Sequence, residues 1–435
     1  MRAAVAASVL TVGVVLVACS NNPGTGDGGS DASSDVQVDA PAQCDAGSTS
    51  GTLASFTPPA DPGPGGILFA ASGEELALTG YPFPPVQSGD PCFVDGWDVK
   101  FTRLLVTVDK IKLWQNPDLS PGDESQTGQQ VAEVDGPWAI DLSHSDPSYL
   151  PGKGGGGEQA VPIAALKNQN SQGNQPFATD GTRYAFGFDV IAATAKTCDG
   201  RATMNVNLDA AAQADYQTMI TNGCTVFYVG TAMFKGDQGP IPTCNDDPVY
   251  ATWPKVIKFS LCYKSPTSYI NCQNPDNDPA APLANEEHER GIAFLANQSV
   301  IGQVTMHTDH PFWDSVLHES PAHFDQYAAR LAGQADAGTP TVTLDMEQGV
   351  DYTAVKDALG STLQWRYCID PPTDVHPKFT GVMSFDPQSV PHATGSDPST
   401  GLRDYFDFST YNQSTQGHLN SDGLCFVKRN YPSPP

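Results

Sequence analysis

Proline and glycine divide this chain into short segments. Thirty-seven prolines and forty-one glycines are spread along its 435 residues. Both residue types favour turns and interrupt helices, so long helices are excluded over most of the sequence. The segments between the turns are apolar and rich in β-branched and aromatic residues, which is typical of strands. We therefore expect a mainly β fold, with one or two β-sandwich or barrel-like domains and a few short helices.

The longest predicted strand is DVKFTRLLVTVDKIKLW, residues 98–114. Apolar residues alternate at both of its ends but run unbroken at Leu104-Leu105-Val106, which predicts a bulge or a centre buried on both faces. The other predicted strands cover residues 182–192, 224–234, 255–263, 299–307, 341–346, 363–369, 379–385 and 423–431.

Three short helices are predicted from capping signals. Asp209 precedes the first, which ends at Gly223; Ser320 and Pro321 open the second, which ends at Gly333. The third covers residues 351–360 and ends at a glycine.

The N-terminal segment MRAAVAASVLTVGVVLVACS has one basic residue, a short apolar run and then Cys19. This pattern predicts an export signal rather than a membrane span. The residues Leu16-Val17-Ala18-Cys19 resemble the lipobox of bacterial lipoproteins. The resemblance implies that residues 1–18 are removed, that Cys19 is lipidated and that the lipid anchors the protein to a membrane. An ordinary signal peptide with an incidental cysteine is the alternative.

The resemblance also bears on location, because Ser20 replaces the aspartate that retains such lipoproteins in the inner membrane. It therefore implies the outer membrane of a Gram-negative bacterium, with the protein facing either the periplasm or the cell surface. Residues 19–52 contain no aromatic and no basic residue, which predicts a disordered acidic tether. Residues 53–278 are predicted to form a β-rich domain. Residues 279–435 are predicted to form a second β-rich part with short helices and a cluster of histidines.

A second resemblance concerns the fold alone. The segments LLVTVDKIKLW, GPWAIDLSH and GTRYAFGFDV are similar in their rhythm of strands to transthyretin-like β-sandwich domains of bacterial surface lipoproteins. The resemblance implies a sandwich and no particular activity.

Export to an oxidising compartment makes disulfide bonds the expectation for the cysteines. Cys19 is assigned to lipidation and Cys44 lies in the tether, so the other eight are predicted to form four bridges. The pairs Cys224–Cys244 and Cys262–Cys272 would close the shortest loops, although other pairings stay open.

The charge balance restricts the partners of the chain. Forty-nine acidic residues against twenty-two basic ones give a formal net charge of -27. Nucleic acids are excluded as partners, since they require clustered lysine and arginine. An acidic surface instead attracts cations.

Histidines are concentrated in one part of the chain. Five of the nine lie between residues 288 and 323, most of them in the stretch HTDHPFWDSVLHESPAHFD at 307–325. Strand alternation puts His307 and Asp309 on one face, and Pro311 can turn His310 towards them. His318 precedes the second predicted helix and His323 lies in its first turn, so a strand end, a loop and a helix start can meet there.

Imidazoles together with carboxylates suit copper, zinc or nickel better than calcium. The sequence therefore predicts one transition-metal ion held by His307, Asp309, His310, His318 and His323. The acidic residues of NEEHER, at 285–290, are candidates to orient the rings. A solvated polar cluster or a structural hydrogen-bond network is the alternative to a metal site.

The sequence thus predicts a lipid-anchored binding module rather than an enzyme. It contains no GxSxG or HExxH motif, and it gives neither catalytic nor cofactor-binding residues. Two alternatives remain: a structural or protein-interaction lipoprotein with no small-molecule site, and a metal-dependent hydrolase that uses the same histidines.

Overall fold

The computed structural model describes residues 51–429 except 88, 121–122, 155, 170–174, 242–243, 245–247, 275–289, 315–319, 352–358, 360–365, 370–401 and 416–424. The first eight strands are β1 Ala54–Ser55, β2 Ile67–Ser72, β3 Trp97–Gln115, β4 Gln130–Val134, β5 Trp138–Asp141, β6 Leu150–Pro151, β7 Gln159–Leu166 and β8 Arg183–Val190. The others are β9 Met204–Asn205, β10 Val226–Phe234, β11 Val256–Tyr263, β12 Thr267–Ile270, β13 Ile292–Ala293, β14 Val300–Thr305, β15 Thr341–Thr343 and β16 Phe426–Arg429. The helices are α1 Glu74–Thr79, α2 Ala210–Asn222, α3 Asp325–Ala328 and α4 Tyr405–Thr415.

The larger sheet is built around β3. Its main path runs β1-β9-β5-β3-β10-β11-β15, and β4 and β8 also pair with β3. Leu104, Leu105 and Val106 are all fully buried, so the predicted centre buried on both faces is confirmed. A bulge lies further along the strand, where the pairing of β3 with β8 shifts register between Asp109 and Lys112. Lys110, inside this irregularity, has a φ of 44°. The bulge lets one long strand pair with different partners along its length.

The smaller sheet has the order β14-β2-β7-β6. Its two strands β14 and β2 are parallel, with Val300 opposite Ile67 and Thr305 opposite Ser72. Parallel strands in register end at the same edge of a sheet. The segments that follow β2 and β14 therefore leave the sheet side by side.

An aromatic core lies between the two sheets. Phe69 of β2 stacks on Phe186 of β8, with ring centroids 5.9 Å apart. Trp97 and Trp138 are also buried. Full burial of a single large apolar side chain stabilises the fold by roughly 1.5–3 kcal/mol. The prediction of a mainly β, disulfide-stabilised fold with few short helices is confirmed.

Two of the three predicted helices lie within the described residues, with different outcomes. Helix α2 begins where expected, because Asp209 accepts a hydrogen bond from the Ala212 backbone N–H at 2.7 Å, and Gly223 ends it with a φ of 72°. The second helix begins at Asp325 and not at Pro321. Ala322 is extended there and bridges to Phe93 and Trp313, so strand-like pairing displaces the first predicted turn. Most of the third, 351–360, lies outside the described residues.

The predicted strands are confirmed in most cases. The expected strand at 341–346 ends at Thr343, where a 3-10 turn follows. Residues 366–369 of the expected strand at 363–369 are not in a strand, and the strand expected at 379–385 lies outside the described residues. Strands before and after residue 279 pair with each other in both sheets.

The disulfide pairing differs from the expectation. The bridges between described cysteines are Cys224–Cys262, Cys244–Cys368 and Cys272–Cys425, and Cys198 is also disulfide-bonded. Cys92 is a free thiol. The expected pairs Cys224–Cys244 and Cys262–Cys272, and the four bridges among eight cysteines, are therefore wrong. Strand pairing decides the outcome, since Cys224 lies just before β10 and Cys262 is in the neighbouring β11.

The predicted signal segment 1–18, Cys19 and most of the tether 19–52 lie outside the described residues. Within the described ranges, no helix combines the length and the apolar composition that a membrane span requires.

Candidate metal site

The site lies at the edge of the smaller sheet where the parallel strands β2 and β14 end. Burial alternates along β14 and continues beyond it, with Met306 and Thr308 buried and His307 and Asp309 half-buried. His307 and Asp309 thus lie on the same face, as their spacing predicts. On the neighbouring strand, β2 is followed by Gly73 and Glu74. The side chains after both strands therefore meet at one edge.

A turn brings His310 to the same place. Residues His310–Phe312 form a single 3-10 turn, in which the Phe312 N–H donates to the Asp309 carbonyl at 2.8 Å. Pro311 favours this turn because its φ is fixed and it has no N–H to satisfy. The rings of His307 and His310 are consequently near-parallel, with centroids 4.8 Å apart.

His307, Asp309 and His310 form a three-residue group of possible metal ligands. One candidate atom from each residue lies within 4.8 Å of the candidate atoms of the other two, and no other such group is found among the described residues. Ligand atoms around a tetrahedral ion at 2.0–2.1 Å lie about 3.4 Å apart. The three side chains would therefore need only a small closing movement to hold an ion.

Helix α4 fixes the orientation of the His310 ring. The hydroxyl of Thr415, at the end of α4, donates to the Asn412 carbonyl at 2.6 Å. Because its single hydrogen is used there, Thr415 Oγ1 accepts from His310 Nδ1, 2.7 Å away. Nδ1 of His310 is then the protonated nitrogen, and Nε2 has the lone pair that a metal requires.

Glu74 contacts the other histidine. Its Oε1 is 3.0 Å from Nδ1 of His307, and both side chains are partly exposed. The Asp309 carboxylate accepts a hydrogen bond of 3.1 Å from Trp313 Nε1, and the Trp313 ring lies 3.8 Å from the His310 ring. Each member of the group is therefore held by a neighbour outside it.

Two tyrosines hold the segment that carries His307 and Asp309, one through a side chain and one through the backbone. The Tyr81 hydroxyl and the Thr308 hydroxyl are 2.6 Å apart. The Tyr228 hydroxyl donates to the His307 carbonyl at 3.1 Å. Both tyrosines are fully buried on the larger sheet's side of the core. The site is thus built on a rigid support rather than on a loose loop.

Carboxylates make the site electronegative. Burial raises the pKa of Asp309; the nearby His307 ring opposes this effect, and Glu74 adds to it. Burial likewise raises the pKa of Glu158, the residue just before β7, and Glu74 contributes to the rise. Glu74 and Asp309 both lie beside the imidazoles, and carboxylates in this position attract a cation to this edge.

His323, also predicted as a ligand, is not in this group. Its ring is fully buried, with Nε2 3.3 Å from Asp314 and Nδ1 3.8 Å from Asp95. Asp95 accepts backbone N–H groups of Phe324 and Asp325 at 2.7 Å each. These contacts place His323 in a buried hydrogen-bond network. A network of this kind was the alternative to a metal site that the sequence left open.

His318, a predicted ligand, and His288, with the acidic residues beside it at 286–289, lie outside the described residues. Phe312 and Trp313 are buried in the core.

Glu74 and Thr415 were not singled out from the sequence. Glu74 follows a strand that is mostly apolar, and Thr415 ends a polar helical stretch, so neither has a local pattern that indicates a ligand contact. Only the pairing of β2 with β14 and the packing of α4 on the turn at His310 bring them to the site.

Comparison with known protein families, with curated proteins and with solved structures finds no match for this chain.

Proposed function

We propose that this protein is an exported, lipid-anchored binding module that holds one transition-metal ion through His307, Asp309 and His310. The observation that supports the proposal is the convergence of these three side chains within 4.8 Å at a strand edge. The ligand atoms would be Nε2 of both rings and one carboxylate oxygen of Asp309.

The ligand set favours zinc, copper or nickel. Imidazole nitrogens suit these three ions, and a single carboxylate is compatible with each of them. Calcium would prefer six or more oxygen ligands, which this group does not supply. The carboxylates of Asp309 and Glu74 favour a divalent ion over a monovalent one.

The partners follow from the same reasoning. The lipobox resemblance at Cys19 gives a membrane anchor, in the outer membrane of a Gram-negative bacterium, and the acidic surface favours cations over nucleic acid. The chain would then bind its metal outside the cytoplasm. Binding, rather than catalysis, is the role that we propose for these residues.

Elemental analysis tests this proposal. Purified protein without a histidine tag is incubated with zinc, copper or nickel at neutral pH, passed through a desalting column and measured by mass spectrometry. We expect about one equivalent of metal in the wild type and its loss in the double variant His307→Ala/His310→Ala. His144→Ala is the matched control, since His144 is a half-buried histidine that contacts Tyr149 instead.

Circular dichroism of the double variant is the control for correct folding. If the wild type retains no metal, or if the double variant retains as much as His144→Ala, the metal proposal is wrong. A protein-interaction lipoprotein without a small-molecule site would then be the better description.

A further inference from the structure

Glu74 lies at the site but is not one of its three ligand residues. We infer that Glu74 is a positioning residue, which fixes the tautomer and orientation of His307 so that Nε2 faces the metal. This inference rests on the proposed function, since it gives Glu74 a role only if His307 binds metal.

The chemistry of the contact determines the tautomer. An ionised carboxylate only accepts hydrogen bonds, so Glu74 Oε1, 3.0 Å from His307 Nδ1, requires a hydrogen on that nitrogen. A neutral imidazole then has its lone pair on Nε2. Carboxylates that hold the remote nitrogen of a metal-binding histidine also make the ring a stronger ligand. Glu74 thus acts on His307 as Thr415 acts on His310.

The backbone of Glu74 indicates that its position is imposed by its surroundings. Glu74 has a φ of 63°, in the left-handed region that residues with a side chain rarely adopt. Glycine would adopt this conformation without strain, yet the chain has a glutamate here and a glycine one residue earlier. Strained residues of this kind cluster at binding sites, where the surrounding structure holds them in place.

Neighbouring residues hold this strained turn. The Glu74 N–H donates to Ser72 Oγ at 2.9 Å, and the Ser72 hydroxyl in turn donates to Glu158 at 2.5 Å. Gln303 of β14 donates to the same Glu158 oxygen at 2.9 Å. The buried carboxylate of Glu158 therefore links the turn after β2 to both neighbouring strands. These contacts hold the backbone of Glu74 at the position from which its carboxylate reaches His307.

The next residue supplies a matched control. Glu75 has the same charge and is exposed, and its carboxylate lies against the backbone of Gly156 and Gly157 rather than His307. Glu75→Gln therefore removes one negative charge close to the site without removing the contact to the ring. Any effect of net charge alone appears in this variant.

The experiment measures zinc affinity of the purified protein by competition with a chelating dye. We expect Glu74→Ala to weaken binding by about ten- to a hundredfold relative to Glu75→Gln, as losses of such supporting contacts typically do. Glu74→Gln retains an oxygen that can accept from Nδ1, so we expect it to recover most of the affinity that Glu74→Ala loses.

A spectroscopic measurement separates positioning from a general loss of structure. In the copper-loaded protein, pulsed electron paramagnetic resonance detects the remote imidazole nitrogen, whose quadrupole coupling depends on its hydrogen bond. We expect that coupling to change for one of two imidazoles in Glu74→Ala and to stay unchanged in Glu75→Gln.

The outcomes are distinguishable. Equal affinities of Glu74→Ala and Glu75→Gln would overturn the positioning role while leaving metal binding intact. Equal losses in Glu74→Ala and Glu74→Gln would also overturn it, because the carboxylate would then act as a direct ligand or through its charge. Absence of zinc and copper binding by the wild type would overturn both this inference and the proposed function.

Discussion

At the scale of single residues, the site depends on side chains that the fold holds in costly states. Glu74 is in a left-handed conformation, and Asp309 is a carboxylate whose pKa is raised by burial. Buried or strained groups of this kind persist only where the surrounding structure compensates for them. Substitutions of Glu74, at the site, and of Glu347, remote from it, test the cost of such states.

The first prediction concerns backbone strain at Glu74. Glu74→Ala and Glu74→Gly both lack the carboxylate, so their stabilities differ mainly through the backbone. At an ordinary helical position alanine is the more stable of the two. With a φ of 63° we expect the reverse order, with Glu74→Gly more stable than Glu74→Ala by about 1 kcal/mol. Urea unfolding of the metal-free variants measures this difference, and the usual order would contradict the left-handed conformation.

The second prediction concerns Glu347, which is fully buried in the turn after β15. Burial raises its pKa to about 8; Arg330, 3.7 Å away, lowers it and Asp404 raises it. The folded-state pKa is above the unfolded value, so the stability from protonated Glu347 is complete below pH 4.5 and is lost as the pH rises towards 8. The glutamine in Glu347→Gln cannot ionise, so the stability of this variant does not fall in the same way as the pH rises.

We therefore expect the melting temperature of Glu347→Gln, relative to the wild type, to increase between pH 5 and pH 8.5. Differential scanning calorimetry at the two pH values measures the change. A constant difference would show that Glu347 has the same pKa in the folded and unfolded protein.

The sequence predicted only part of the site. His307 and Asp309 could be placed together because alternation along β14 is a local property, and Pro311 indicated the turn that brings in His310. His323 also lies in the histidine-rich stretch, but three-dimensional packing directs it to Asp95 and Asp314 instead. Proximity in sequence therefore grouped His307, Asp309 and His310, which do meet, with His323, which does not join them.

At the scale of secondary-structure elements, the ends of strands and helices are what build the site. The parallel pair β2 and β14 supplies Glu74 and the histidine segment, and α4 supplies Thr415. The start of α2 was predictable because Asp209 caps it locally. The start of α3 was not, since the bridge from Ala322 to Phe93 depends on a segment far away in the sequence.

The third prediction tests the contribution of α4. Thr415→Val keeps the shape of the side chain but removes the hydroxyl that accepts from His310, whereas Thr415→Ser retains the hydroxyl. We expect Thr415→Val to weaken zinc binding by about ten- to a hundredfold and Thr415→Ser to stay close to the wild type. The dye competition assay measures both. Equal affinities of the two variants would mean that α4 does not orient the His310 ring.

At the scale of the whole molecule, strand order and disulfide bonds connect distant parts of the chain. The β-rich class followed from the spacing of turns, but the sheet order did not, since it depends on pairs such as β11 with β15. The disulfide bonds could not be predicted for the same reason: Cys272 and Cys425 are 153 positions apart and meet because β12 pairs with β16.

The fourth prediction concerns the free thiol. Alkylation of the unfolded, unreduced protein followed by peptide mass spectrometry should label Cys92 and leave the six cysteines of the three bridges unlabelled. In the folded protein we expect slow labelling, because burial raises the pKa of the Cys92 thiol to about 12, with Asp95 and Asp90 adding to the effect. Labelling of Cys224 or Cys262 would contradict the observed pairing.

X-ray absorption spectroscopy of the zinc-loaded protein is the most direct test of the proposed metal site. We predict scattering from two imidazole rings at about 2.0–2.1 Å together with one carboxylate oxygen, and the loss of both imidazole contributions in His307→Ala/His310→Ala. A shell of oxygen atoms alone, or a sulfur ligand at about 2.3 Å, would contradict a metal site at His307, Asp309 and His310.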